Sequence, residues 1–260
     1  MKPHTFAVCA YRDSPYLEAC IRSLKGQSVP TDIILCTSTP SPYIMDMADK
    51  YGIPVHVREG KSRIMDDWNF AYHMADSRFV TIAHQDDMYQ KDYVKLLLES
   101  WKRYPDMTLF TGGDTGGKKD TLVKFEKVEF IKRFLRLPLR LRPLSHLRVV
   151  KRSVLLFGNS ICCPACTYNK ELLGEPLFDS PYQFALDWDT LWKLAERDGR
   201  FICIERPLMY YWVHEEATTK ACIKDNSRAR EEAEMFAKMW PKPVVKLLMH
   251  YYRRAYEEYE

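Results

Sequence analysis

The sequence predicts an α/β fold: a mostly parallel central sheet flanked by helices, followed by a C-terminal helical extension. Three observations carry that expectation. Short apolar runs alternate with segments of helical spacing through the first hundred or so residues, the pattern of crossover units. One such run, Phe79 to Ala83, stops abruptly at His84-Gln85-Asp86-Asp87, so a buried strand ends in two adjacent carboxylates. Two helical patterns, from about Ser227 to Trp240 and from Val244 to Tyr256, close the chain.

Taken in order, Phe6-Ala7-Val8-Cys9-Ala10 reads as the first strand and ends in Tyr11-Arg12-Asp13-Ser14-Pro15. Tyr16 to Lys25 places Leu17, Cys20, Ile21 and Leu24 on one helical face and stops at Gly26. Asp32 to Cys36 is the second strand, followed by the turn-rich Thr37-Ser38-Thr39-Pro40-Ser41-Pro42. A helix from about Tyr43 closes at Gly52, Val55-His56-Val57 is a short strand, and Ile64 to Ala75 is a helix leading into the Phe79 strand. Tyr93 to Trp101 is helical and Met107 to Thr111 a strand. Gly112-Gly113-Asp114-Thr115-Gly116-Gly117-Lys118-Lys119 lacks the spacing of a phosphate-cradling loop and is expected to be a mobile surface turn. Phe201 to Ile204 is a further strand.

Composition bounds the function. The chain has 260 residues, 46% of them hydrophobic and 28% charged, ordinary for a soluble globular protein. A net charge of +4 is too mild to indicate nucleic acid. No apolar run reaches the ~18 residues of a membrane-crossing helix. Met1 to Thr5 shows no signal-peptide layout, so the expectation is a cytoplasmic protein whose 8 cysteines are reduced. Cys162-Cys163-Pro164-Ala165-Cys166 lacks the second pair that a structural zinc site commonly needs, and packing beside a pocket is the expected role.

Open α/β sheets bind ligands beyond the carboxyl ends of their strands. Two carboxylates there repel each other unless a cation sits beside them. Mg²⁺ or Mn²⁺ typically takes one or two carboxylates plus substrate phosphates. A metal–diphosphate site is therefore one reading of Asp86-Asp87; an acidic loop before the next helix is the other.

These stretches are similar to the large family-two group of inverting glycosyltransferases, of GT-A fold. Ala10-Tyr11-Arg12-Asp13-Ser14-Pro15-Tyr16-Leu17-Glu18-Ala19-Cys20-Ile21-Arg22-Ser23-Leu24 resembles that group's opening strand, turn and helix. Asp67-Trp68-Asn69-Phe70-Ala71 stands where a helix of the group carries an Asn. The group's Asp-x-Asp motif falls on His84-Gln85-Asp86: His84 replaces the first Asp, and Asp86 matches the metal-coordinating carboxylate, with Asp87 beside it. The group's Asp-Asp-Gly-Ser after strand two is here Thr37-Ser38-Thr39, so no carboxylate is offered to the base and uracil is not implied. The resemblance implies nucleotide-sugar contacts from Ala10, Tyr11, Arg12, Asp13, Ser38, Arg63, Asp67, Asn69, Gln85 and Asp86. It implies Mn²⁺ or Mg²⁺ held by Asp86, Asp87 and His214.

A second acidic motif of the group matches Ala185-Leu186-Asp187-Trp188-Asp189-Thr190-Leu191-Trp192, its Glu replaced by Leu186. Asp187 falls on the catalytic base, with Asp189 as the alternative. On a helix these two do not share a face, so one reaches the site while the other caps the helix; capping by both is the reading from local sequence. Pro207 to Thr219 looks like the group's closing Tyr-Arg-x-His motif, with His214 matching and Trp212 in place of the Arg.

Residues 127–152 hold nine lysines and arginines against one acidic residue, Glu129, interleaved with Phe130, Ile131, Phe134 and several leucines. Three roles are open: peripheral contact with an anionic membrane, attraction of a phosphate-bearing substrate, or packing of the apolar face on the domain. Pro138 and Pro143 rule out one long helix.

The expectation is a glycosyltransferase domain over 1–222, its nucleotide-binding half at 1–110 and acceptor half at 111–222, with a helical extension at 223–260. It would move a sugar from a nucleoside-diphosphate donor to a glycan or lipid-linked sugar, in the cytoplasm or at the inner face of the membrane. The alternatives are a nucleotidyltransferase, against which the glycine-free Tyr11 to Pro15 turn counts, and a non-catalytic sugar- or nucleotide-binding module of the same fold.

Overall fold

Eight strands join in one sheet: β1 (Lys2–Ala10), β2 (Asp32–Thr37), β3 (Val55–Val57), β4 (Ser77–His84), β5 (Met88–Tyr89), β6 (Met107–Lys118), β7 (Cys166–Asn169) and β8 (Arg200–Val213). The structure is a computed structural model and describes residues 2–118, 126–213 and 226–256. The strand order is β3-β2-β1-β4-β7-β6-β8-β5. The β1–β2, β1–β4, β2–β3 and β6–β8 pairs are parallel; β7 runs antiparallel to both neighbours, and β5 antiparallel to β8. The mostly parallel sheet expected from the sequence is present.

Residue alternation builds a core on each face of the sheet, as the two-residue strand period requires. Phe6, Val8 and Ala10 of β1 and Ile33 and Leu35 of β2 enter one cluster, under α1 (Leu17–Lys25), α2 (Pro42–Tyr51) and α4 (Tyr93–Arg103). Ala7, Ile34 and Cys36 enter the other, under α3 (Ile64–Met74), α8 (Leu186–Glu196), α9 (Ser227–Met239) and α10 (Lys242–Tyr256). The helices between α4 and α8 are α5 (Glu126–Leu135), α6 (Arg148–Ser153) and α7 (Lys170–Leu173). A buried polar chain crosses the strands: His4 Nε2 lies 2.8 Å from Thr81 Oγ1, Thr81 2.6 Å from Thr167 Oγ1, and Thr167 2.8 Å from the Tyr93 hydroxyl. Burial pushes the His4 pKa down to about 3, so this imidazole is neutral.

Three expectations need correcting. The glycine-rich stretch is not a surface turn: β6 runs on to Lys118, paired with β8 through Gly112↔Ile204 and Asp114↔Met209. A Cβ at Gly112 would sit 2.6 Å from Leu208 Cβ, so glycine here permits the close approach of two backbones. The apolar side of the basic segment is not packed on the domain: Phe130, Ile131, Phe134, Leu137, Leu141, Leu144, Leu147 and Val149 are exposed, while Leu139 enters the core. Of the two carboxylates expected to cap α8, only Asp187 meets a first-turn amide, accepting from Trp188 N at 2.7 Å, while Asp189 is bound to lysines. Glu231 of α9 instead fixes the backbone that leads into α8, its carboxylate accepting hydrogen bonds from Phe184 N at 2.7 Å, Ala185 N at 3.0 Å and Gln183 N at 3.1 Å.

The described cysteines are all free. Burial raises the Cys162, Cys163 and Cys166 thiols, Cys166 to about 12, which suits packed thiols rather than metal-binding thiolates.

Candidate active site

β4 ends at His84, and a turn closed by Asp87 N donating to His84 O (3.2 Å) folds the acidic motif back on itself. His84, Asp86 and Asp87 each offer a ligand atom within 4.8 Å of the others, the one such grouping among the described residues. Burial, then Asp86, then Asp114 raise the Asp87 carboxyl well above the carboxylate range. Burial lowers the pKa of His84, leaving a neutral ring with a lone pair. Its Nε2 is buried without a hydrogen-bond partner, its Nδ1 is 3.8 Å from Asp87 Oδ2, and the ring stacks on Trp68 at 5.1 Å. Crowded carboxylates beside an unpartnered neutral imidazole fit a divalent cation, which would relieve the repulsion and give the nitrogen a partner.

Of the residues expected to contact the donor, Ala10 to Asp13, Ser38 and Gln85 lie at or just beyond the ends of β1, β2 and β4, and Arg63, Asp67 and Asn69 in or just before α3. Ala10 ends β1; Tyr11 and Arg12 begin the turn, and Arg12 holds φ 55°, in the left-handed region that non-glycine residues seldom occupy. Gln85 clamps that turn: Tyr11 N donates to Gln85 Oε1 and Gln85 Nε2 donates to Tyr11 O, both at 2.9 Å. Arg12 N donates to Thr39 Oγ1 (2.8 Å), and Ser41 Oγ donates to Asp13 Oδ1 (2.6 Å), so the turn is tied to the segment after β2 that includes Ser38. Asp67 accepts from Arg58 Nε at 2.8 Å and Ser62 Oγ at 2.7 Å. Arg63 is exposed just before α3. Asn69 bonds the Phe178 backbone with both amide atoms, donating to its O at 2.7 Å and accepting from its N at 2.9 Å. Asn69 and Gln85 thus hold backbone in place around the site.

Asp187 lies in the first turn of α8, half-buried. Its Oδ1 accepts from Trp188 N at 2.7 Å and its Oδ2 from Asn159 Nδ2 at 2.8 Å. Burial outweighs these bonds and the nearby Lys132 charge, and carries the carboxyl up to about 6. Asp189 faces elsewhere, as its helical spacing requires. It is buried and bound to Lys238 (2.5 Å) and Lys193 (3.0 Å), which outweigh its burial and hold its pKa below the usual range. An ion-paired, acidic Asp189 is poorly suited to take a proton.

Asp114 and Lys132 link the two acidic motifs. Lys132 Nζ is 3.0 Å from Asp114 Oδ2, and Arg136 Nη1 is 3.2 Å from Asp114 Oδ1. Burial alone would raise Asp114, but the two cations outweigh it and keep it ionised. Asp114 is close enough to raise the Asp87 pKa, and Lys132 close enough to lower that of Asp187. Sequence reasoning missed this pair, along with Asn159 and His84 as site groups. The available signals were a lone Asp inside a glycine run and the motif position that His84 occupies. His214 lies outside the described residues.

A mostly parallel sheet flanked by helices, with an acidic cluster at the end of β4, is the architecture of a GT-A glycosyltransferase. The chain belongs to glycosyl transferase family 2, whose sequence profile matches residues 5–167. The nucleotidyltransferase and the non-catalytic module are thereby left without support. No match was found among curated protein sequences. Solved structures are similar in fold across nearly the whole chain. The mannosyltransferase PcManGT from Pyrobaculum calidifontis, in complex with GDP-Man and Mn²⁺, has TM-score 0.62 and 17% identity, over 96% of this chain and 68% of its own. S. aureus TarS 1–349 has TM-score 0.60 and 14% identity, over 96% of this chain and 69% of its own. Glucosyl-3-phosphoglycerate synthase from Mycobacterium tuberculosis, with Mn²⁺ and UDP-glucose, has TM-score 0.58 and 13% identity, over 92% of this chain and 79% of its own.

Proposed function

We propose that this enzyme transfers a sugar from a nucleoside-diphosphate donor to a hydroxyl of a glycan or lipid-linked sugar, in one displacement that inverts the anomeric carbon. The observation that carries the reading is Asp187: a carboxylate at about pKa 6, oriented by Asn159 and close to the Lys132–Asp114 pair that adjoins the acidic cluster.

A sugar hydroxyl ionises far above neutral pH, so it needs a base as it attacks. Asp187 accepts that proton. The bond between acceptor oxygen and anomeric carbon forms as the bond from that carbon to the diphosphate oxygen breaks, and the electron pair leaves with the nucleoside diphosphate. Base help of this kind is typically worth about 10²–10⁴ in rate. Asp86, Asp87 and His84 would hold Mn²⁺ or Mg²⁺, with His214 as the further ligand nominated by the sequence; the cation supplies charge neutralisation for the departing diphosphate. The turn from Ala10 to Asp13, with Ser38, Arg63 and Asp67, lines the donor side. Similar folds captured with Mn²⁺ and nucleotide sugars support this reading. We place the reaction in the cytoplasm.

Asp187→Asn tests the assignment. Transfer should fall about 10²–10⁴-fold while nucleoside diphosphates still raise the thermal midpoint of the variant. In the unsubstituted enzyme, activity should rise with pH through about 6, as Asp187 loses its proton. Full activity in the variant would refute the base.

A further inference from the structure

Helix α5 is amphipathic in the reverse sense to a core-packed helix. Its charged side faces the protein: Lys132 and Arg136 bind buried Asp114, and Arg136 Nη1 donates to Ser160 O at 2.8 Å. Its apolar side faces solvent, with Phe130 71% and Phe134 64% exposed and Ile131 beside them at helical spacing. The exposed run continues through Leu137, Leu141, Leu144 and Leu147 to Val149, itself 71% exposed. The short turn at Leu137–Arg140 packs on both α5 and α6, so these side chains follow one another across adjoining elements. Single exposed apolar residues need no explanation, but a continuous set over one segment marks a contact surface.

Charge identifies what covers it. Beyond the inward pair, Arg133, Arg140 and Arg148 stay exposed along the same stretch; Arg133 and Arg148 have carboxylates only at 3.7 Å. A cavity of about 450 Å³ beside it gathers Arg103, Arg140 and Arg142 around Tyr104, with Glu205 its one acidic residue. Apolar side chains fringed by arginines suit the boundary of an anionic bilayer, acyl chains against one and phosphates against the other. A second copy of this chain would bring the same basic surface against itself, which like-charge repulsion opposes.

We propose that residues 130–149 seat the protein on an anionic phospholipid surface as a peripheral contact; among the described residues no helix is long and apolar enough to cross a membrane. Because α5 also carries Lys132 toward Asp114 and Asp187, the acceptor is a lipid-anchored hydroxyl compound drawn from that surface, a step that rests on the transfer proposed above.

Flotation of the full chain with vesicles tests the seat. It should float with vesicles of mixed phosphatidylcholine and phosphatidylglycerol, not with phosphatidylcholine alone, and less so at high salt. Phe130→Ser combined with Phe134→Ser should weaken partitioning at least about tenfold. Arg133→Gln, Arg140→Gln or Arg148→Gln should each weaken it about fivefold. Thermal midpoints should not move, since these side chains are exposed. The proposal is overturned if the unsubstituted chain stays down with mixed vesicles, or if the paired Phe changes leave flotation intact. A concentration-dependent dimer in free solution, dissolved by those same changes, would also overturn it. Partitioning is read without turnover, and Asp187→Asn should float as the unsubstituted chain does, so failure of the seat and failure of the transferase reading are separately visible.

Discussion

His84 is the residue on which this chain departs most from its family. It gives up a carboxylate and brings a neutral nitrogen to the strand end, whose buried Nε2 has no partner within the protein. Imidazole favours transition metals over Mg²⁺. His84→Ala should therefore weaken Mn²⁺ binding at least about tenfold, followed by the spin-resonance signal of free Mn²⁺; unchanged affinity would place the nitrogen outside the coordination sphere. Asp187 carries a matching cost. Its carboxyl is raised to about 6 in the folded chain, against about 3.9 unfolded, so the folded state binds more protons between those values and loses stability as pH rises through them. The Asp187→Asn variant should accordingly melt no lower than the unsubstituted enzyme at pH ~7.5, separating lost chemistry from lost structure. Asp187 could be nominated from sequence because its order after the first motif is a sequence property. Asn159 could not, since its role is a bond to a side chain 28 residues away. Asn69 stood at a motif position, yet its two bonds to Phe178 span 109 residues and could not be foreseen.

At the scale of elements, periodicity located nearly every strand and helix of the first hundred residues, because alternating burial on two sheet faces leaves a direct trace in sequence. The trace fails at β6. Glycine is a turn signal when nothing is known of its neighbours, and Gly112 owes its identity to Leu208, almost a hundred residues on. Gly112→Ala forces two backbone-attached carbons together and should cost about 1–3 kcal/mol, read as a lower thermal midpoint. An unchanged midpoint would mean that β6 and β8 can part without cost. The basic segment failed for a related reason. Its interleaved leucines state that one side is apolar, and only the burial of Asp114 decides which side turns inward.

Over the whole molecule, the C-terminal helices belong to the catalytic body. Met235, Phe236 and Met249 share the core of α8, and Glu231 holds the amide groups of the residues just before that helix. Glu231→Ala leaves those donors unmet, that of Ala185 in a buried setting, and should destabilise the chain by roughly 1–3 kcal/mol. Because Asp187 sits about one turn away, kcat should fall in the same variant well below its melting temperature; full turnover would show that α8 holds its place without Glu231. Nothing in the local sequence marks Glu231 for this role, since it is one glutamate among several on a helix whose pattern suggests exposure.

The inward salt cluster of α5 has a mechanical corollary. With Lys132, and Arg136 just past its end, anchored to one aspartate, the helix cannot roll about its own axis, so its oily flank keeps a fixed bearing relative to β6. Replacing Lys132 with leucine would leave grease on both flanks and no preferred heading. Orientation on a bilayer is thus dictated by a buried charge, while adhesion is left to the hydrocarbon.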